Sequence, residues 1–81
     1  MDQIKNERMK SSSRQTYLFI PGTRFDRFGT RHGRGGGWYD RLLEMCPREW
    51  LRIGVVRSEQ LENKPLQREK WDQAMDWLVL E

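Results

Sequence analysis

Residues Gly29–Arg41 read Gly-Thr-Arg-His-Gly-Arg-Gly-Gly-Gly-Trp-Tyr-Asp-Arg, and five of the chain's seven glycines fall within them. The stretch runs directly into Leu42-Leu43, and its apolar spacing predicts a helix over Gly37–Cys46. Trp38, Leu42 and Met45 recur on one helical face, with Tyr39, Leu43 and Cys46 beside them. Pro47 ends that helix. On the N-terminal side, Thr16–Ile20 reads as a strand closed by Pro21-Gly22. Its continuous apolar centre, Tyr17-Leu18-Phe19-Ile20, suits a strand covered on both faces, as in a parallel sheet. On the C-terminal side, Leu51–Val56 reads as a second strand. The order strand, glycine-rich loop, helix, strand is an α/β unit whose parallel strands join by a right-handed crossover.

A glycine-rich loop between a strand and a helix is suited to an anion. Glycine lets the backbone approach without a Cβ in the way, and the first N–H groups of the helix point outward unpaired. Arg31 and Arg34 add planar cationic forks that match phosphate oxygens. The loop lacks the Gly-Lys-Ser/Thr end of a P-loop, and no Gly-x-Gly-x-x-Gly spacing reads through Trp38.

The order Gly-x-Arg-x-Gly-x-Gly-Gly-Gly-x-Tyr-Asp-Arg resembles the signature of the 5-formyltetrahydrofolate cyclo-ligase family, the methenyltetrahydrofolate synthetases. Its surroundings resemble the family too. Pro21-Gly22, Phe25-Asp26 and Gly29-Thr30-Arg31 open the pattern; Ile53-Gly54-Val55-Val56, Gln60, Pro65 and Asp72 continue it in order. The resemblance covers about residues 17–81. It implies a three-layer α/β fold built on a partly present parallel sheet, with this chain as the C-terminal half of a larger domain. Over Gln67–Leu80 the residues alone leave a choice. Trp71, Ala74, Met75 and Leu78 have helical spacing, whereas the resemblance implies a turn around Asp72 and a strand near Trp77–Leu80, which is the reading adopted.

Composition is consistent with one small domain or part of one: 81 residues, 36% hydrophobic and 33% charged, leave a thin core. The chain divides into a mobile polar arm over 1–15 and a half-domain over 16–81. The net charge of +3 is unevenly spread: +2 over residues 1–14, +3 over 15–43 and −2 over 44–81. The positive charge thus gathers around the glycine loop, as an anion site requires. A single cysteine, Cys46, permits no internal disulfide and suits a reducing cytoplasm. Cys46 and the lone His32 have no companion ligands, so Cys46 is expected as a small buried helix residue. No apolar run reaches the length of a membrane span, and the expected setting is cytoplasmic.

Enzymes of the family convert 5-formyltetrahydrofolate to 5,10-methenyltetrahydrofolate while MgATP becomes ADP and phosphate. Phosphorylation of the formyl oxygen turns a poor leaving group into a good one, and the neighbouring N10 closes the ring. The resemblance implies ATP and a reduced folate as ligands. It assigns Arg31, His32, Gly33, Arg34, Gly35, Gly36, Gly37, Trp38 and Tyr39 to the ATP phosphate loop, and Asp40 and Asp72 to Mg2+. Asp40 could equally be a charge placed near a helix N-terminus for its dipole, and Asp72 taken alone is a solvated charge. Tyr39 either lines the site or packs on the core, and Arg41 either pairs with a carboxylate or reaches phosphate. His32, Trp38, Trp71 and Leu80 depart from the family pattern.

Two other readings compete. One is a non-catalytic ATP-binding remnant, or a half-domain completed by a separate N-terminal half or by self-association. The other, less favoured, is a nucleic-acid module using Arg24, Arg27, Arg31, Arg34 and Arg41 with interleaved Phe25, Phe28 and Trp38.

Overall fold

The computed structural model describes residues 15–81, so the arm expected over 1–15 lies, apart from Gln15, outside the described residues. Among the described residues the fold is built from two small sheets, one α-helix and a short 3-10 turn at Ser58–Gln60. The main sheet holds β1 (Tyr17–Ile20), β4 (Leu51–Val56) and β6 (Trp77–Leu80), all parallel, with β4 in the centre. The helix α1 (Trp38–Met45) crosses between β1 and β4. The strand at Trp77–Leu80 agrees with the expectation from the resemblance, and the helical spacing over Gln67–Leu80 is not realised.

Partners in a parallel register share a face, which sorts the sheet's side chains. Leu18, Arg52, Ile20, Gly54, Leu78 and Val56 look towards α1 and a second sheet. That side holds the core: Ile20, Phe25, Leu43, Val56 and Met75, with Leu18, Tyr39, Leu61 and Leu78 packed around them. Each fully buried large apolar side chain there contributes about 1.5–3 kcal/mol. Gly54 sits where a Cβ would come within 2.6 Å of the Phe25 ring and 2.9 Å of Leu78, so only glycine allows this close packing. The opposite face carries Tyr17, Phe19, Trp77 and Val79, all exposed, around a buried Ile53. Parallel sheets are normally covered on both sides. Among the described residues, elements pack on one side only.

Most of the second sheet lies within Thr23–Gly36, which the sequence predicts as one long loop pinned to the core by Phe25 and Phe28. It contains β2 (Arg24–Asp26) and β3 (Arg31–His32), an antiparallel pair, and β5 (Leu61–Glu62) lies parallel to β2. Strands of two or three residues are too short to show a period. Phe25 is fully buried, as expected of a residue pinning the loop, but Phe28 is 63% exposed and pins nothing. The helix also differs from its expected face. Trp38, Leu42 and Met45 are exposed, and the buried stripe is Leu43 with Tyr39. With apolar residues around more than one side of the helix, a single sheet contact can bury only one stripe. Cys46 is half-buried rather than buried, its thiol directed at Leu42 O.

Asp26 joins the second sheet to the C-terminal half. It is fully buried and accepts three backbone N–H bonds: Phe28 (2.8 Å) and Thr30 (2.9 Å) on Oδ1, and Leu66 (2.8 Å) on Oδ2. Burial alone would raise its pKa; the N–H donors of Leu66, Thr30 and Phe28 outweigh that and hold the carboxyl below the usual aspartate range. Because the folded value is the lower one, this contribution is complete above the unfolded value of about 3.9 and is lost as pH falls through the folded one. Asp26→Asn places an amide donor against an N–H donor and is expected to lower stability by about 2–4 kcal/mol at pH 7. Urea unfolding across a pH series checks this. The difference between the two proteins should persist near neutrality and shrink below about pH 4.

Candidate active site

The three glycines that lead into α1 share an unusual backbone conformation. Gly35, Gly36 and Gly37 all have positive φ, at 98°, 77° and 66°, a run that L side chains rarely adopt. Gly37 is the N-cap of α1 with no side-chain cap, so the first-turn N–H groups are not satisfied by a capping side chain. Arg41 stabilises the loop from below by donating Nη1–H to Gly36 O. Among the described residues it forms no ion pair with a carboxylate.

The loop forms one wall of a cavity of about 830 Å³. Every residue from Arg31 to Tyr39 lines it, and so do Asp40 and Asp72, which are far apart in sequence. Pro21, Gly22 and Thr23 border it at the end of β1, and Gln60, Gln67, Glu69 and Trp71 come from the C-terminal half. Trp38 and Trp71, both departures from the family pattern, stand exposed at its border at 61% and 60%.

Arg31 is the cation built most firmly into this cavity. Its Nε donates to Pro21 O at 2.5 Å, and its guanidinium lies 4.8 Å from the centroid of the Tyr39 ring. Burial lowers its pKa from the ordinary arginine value, opposed chiefly by the nearby Asp40 carboxylate. It stays a cation with Nη donors engaged by no other described residue. Arg34, by contrast, is exposed on the loop. His32 Nε2 lies 2.7 Å from Gln67 O, so the ring N–H placed there ties β3 to the segment leading to Asp72. Arg68 adds bonds to Thr30 Oγ1 and Phe28 O, and Leu66 is held by Asp26.

The two aspartates have matching surroundings. Asp40 Oδ1 accepts the Gln73 backbone N–H at 3.0 Å. Asp72 Oδ2 accepts the Glu69 N–H at 2.8 Å within its own turn. In each case one carboxylate oxygen is occupied by backbone and the other accepts no bond among the described residues. No cluster of three or more His, Cys, Asp or Glu residues exists among the described residues. A cation held here would take two carboxylate oxygens and fill its remaining positions with phosphate oxygens and water. That donor set fits Mg2+, which keeps several waters and few protein ligands, and does not fit zinc.

Sequence reasoning did not assign roles to Gln60, Gln67, Glu69 or Gln73. Gln60 bonds Gly22 O through Nε2 and the Arg57 N–H through Oε1, fixing the turn after β1. Gln67, Glu69 and Gln73 reach His32, Asp72 and Asp40 through backbone atoms, which carry no residue-type signal. The arginine–aromatic ladder of the nucleic-acid reading is not assembled: Phe25 is buried, Arg24 pairs with Glu62, and Arg41 is bound to the loop. Among the described residues no helix is long and apolar enough to cross a membrane.

The chain is 40% identical over 57 residues to the 5-formyltetrahydrofolate cyclo-ligase of Haemophilus influenzae, covering 68% of this chain and 29% of that protein. It is 31% identical over 62 residues to the one from Mycoplasma genitalium, covering 76% and 36%. Among solved structures, the 5,10-methenyltetrahydrofolate synthetase of Mycoplasma pneumoniae superposes with a TM-score of 0.67 at 31% identity, covering 75% of this chain and 36% of that one. The chain thus spans about a third of the length of the relatives it matches. The family model of the 5-formyltetrahydrofolate cyclo-ligases matches residues 1–81, and the chain belongs to that family.

Proposed function

We propose that this chain carries the MgATP-binding part of a 5-formyltetrahydrofolate cyclo-ligase and acts in the ATP- and Mg2+-dependent cyclisation of 5-formyltetrahydrofolate to 5,10-methenyltetrahydrofolate. The observation that carries the reading is the convergence of Arg31–Tyr39, Asp40 and Asp72 on one cavity beside a run of three left-handed glycines. Phosphoryl transfer asks mainly for positioning and neutralisation of charge, and this cavity supplies both.

Each group has a task in that reading. The backbone N–H groups of Gly35–Gly37 and of the first turn of α1 bind phosphate oxygens. Arg31, anchored on Pro21 O and Tyr39, aims its Nη donors at the same oxygens. Asp40 and Asp72 would hold the Mg2+ through their open oxygens; the ion, when bound, neutralises phosphate charge and orients the chain of phosphates. Trp38 and Trp71 shield the border of the cavity from water. The reading carries a cytoplasmic setting with it.

Much of a folate pocket lies outside these residues, and the open face of the main sheet supports a further part to the proposal. The apolar face formed by Tyr17, Phe19, Trp77 and Val79 is covered by additional polypeptide of the family's fold, supplied by a separate N-terminal half or by another copy. Without that cover the chain binds nucleotide and does not turn over.

Calorimetric titration of the chain with ATP, with and without Mg2+, tests the proposal. Binding should strengthen with Mg2+, and Asp40→Asn should weaken the Mg2+-dependent component about 10- to 100-fold. The substitution keeps an oxygen to accept the Gln73 N–H, so loss of the cation site separates from loss of fold. A folded protein with no Mg2+-dependent heat would overturn the reading. Gly36→Ala tests the cradle in the same assay: a Cβ at φ 77° meets no atom within 4 Å, so the strain is conformational. The expected outcome is a loss of about 1–2 kcal/mol in stability and at least a tenfold weaker affinity for ATP.

A further inference from the structure

Arg52 lies in the centre of β4 at 2% exposure, and among the described residues its guanidinium forms no ion pair. Its acceptors are neutral. Nη2 donates to Leu43 O in the last turn of α1 at 3.0 Å, Nη1 to Gln73 Oε1 at 3.2 Å, and buried Nε has no partner. The nearest carboxylate in the bonding pattern, Asp76, instead receives the Arg52 backbone N–H at 2.9 Å. Burying a cation against carbonyls alone is unfavourable, and the negative end of α1 offsets only part of it. Stability therefore does not account for Arg52.

Its geometry does. Gln73 bonds Arg52 with its side chain and Asp40 with its backbone N–H. Asp40 and Leu43 lie one turn apart on α1, so the bonds close a ring: Asp40, the helix, Leu43 O, Arg52, Gln73 and back to Asp40. Asp72 immediately precedes Gln73. A second pair of bonds, Asp76 N–H to Arg52 O at 2.7 Å and the Arg52 N–H to Asp76, secures the far end of the same segment. We propose that Arg52 and Gln73 are positioning residues for the Asp40–Asp72 carboxylate pair, fixing the turn that carries Asp72 against the helix that carries Asp40. The ring also turns Asp40 Oδ1 towards the peptide and leaves Oδ2 for the cation. This inference rests on the metal reading proposed above.

The test measures Mn2+ binding to the 81-residue chain at saturating ATP by the electron paramagnetic resonance signal of free Mn2+. ATP affinity without metal, and the Tm, are measured beside it. Gln73→Ala keeps the backbone N–H and removes the link to Arg52; Arg52→Met removes the other end. Both should weaken Mn2+ binding about 10- to 100-fold while metal-free ATP affinity stays within about twofold, and Arg52→Lys should recover part of the loss. If the folded variants bind Mn2+ as tightly as the wild type, or if metal-free ATP affinity falls equally, the positioning role is overturned while the metal reading stands. If the wild type itself adds nothing to the affinity of ATP for Mn2+, the metal reading fails and takes this inference with it. Should Arg52→Met not fold, Gln73→Ala decides alone, because Gln73 lies outside the core cluster.

Discussion

The geometry of the cavity depends on a buried carboxylate that never reaches it. Asp26 collects N–H groups from the turn between β2 and β3 and from Leu66, some forty residues away. Those bonds hold the short second sheet in register and bring the segment after β5 across it. Arg31 and His32 leave β3 on the cavity side because the turn before them is fixed. Gln67, Glu69 and Asp72 border the same cavity because Leu66 is fixed. A carboxylate with three N–H donors is rigid in a way that apolar contacts between strands of two or three residues are not. The nearly absent regular structure around the site is tolerable for that reason.

The glycine loop shows a similar division between holding and being held. Gly35–Gly37 supply a conformation, and nothing packs on Gly35 or Gly36. Their order comes from the flanks: Arg41 bonds Gly36 O from the helix, and Arg31 is clamped between Pro21 O and Tyr39 on the strand side. Of the three arginines within Gly29–Arg41, Arg41 supports the loop, Arg31 is anchored in the cavity wall, and Arg34 lines the cavity with its side chain exposed. Basic residues of equal charge thus divide into three physical roles, and the difference lies in what each one's donors meet.

Legibility in the sequence followed the range of the physics involved. Elements with a strong local period or a hard boundary were readable: β1 closed by Pro21, α1 closed by Pro47, and β4. The motif singled out Arg31–Tyr39, Asp40 and Asp72, and the structure places all of them on one cavity. The strand at Trp77–Leu80 was readable only through the family resemblance, because Trp71, Ala74, Met75 and Leu78 mimic a helical stripe. The second sheet was invisible, since its strands owe their existence to Asp26 and Phe25 rather than to propensity. The buried face of α1 was misread because Trp38, Leu42 and Met45 form as good a stripe as Tyr39 and Leu43. Arg52 received no role from sequence; a charge inside the otherwise apolar run Leu51–Val56 was the available signal.

The two faces of the main sheet have separable consequences. All of the cavity's strands and loops pack from the side of Ile20, Phe25, Leu43 and Val56, and none of Tyr17, Phe19, Trp77 or Val79 lines it. Ile53 alone is buried on the open side, shielded by Phe19 and Trp77, its neighbours in register. The energy that shapes the cavity therefore comes from one face of the sheet, while the other face leaves apolar area in water. Covering that area would add stability roughly in proportion to the surface removed from solvent, about 25 cal/mol per Å², without changing the contacts that define the cavity. A cavity built in this way can be geometrically complete before the fold around it is energetically complete.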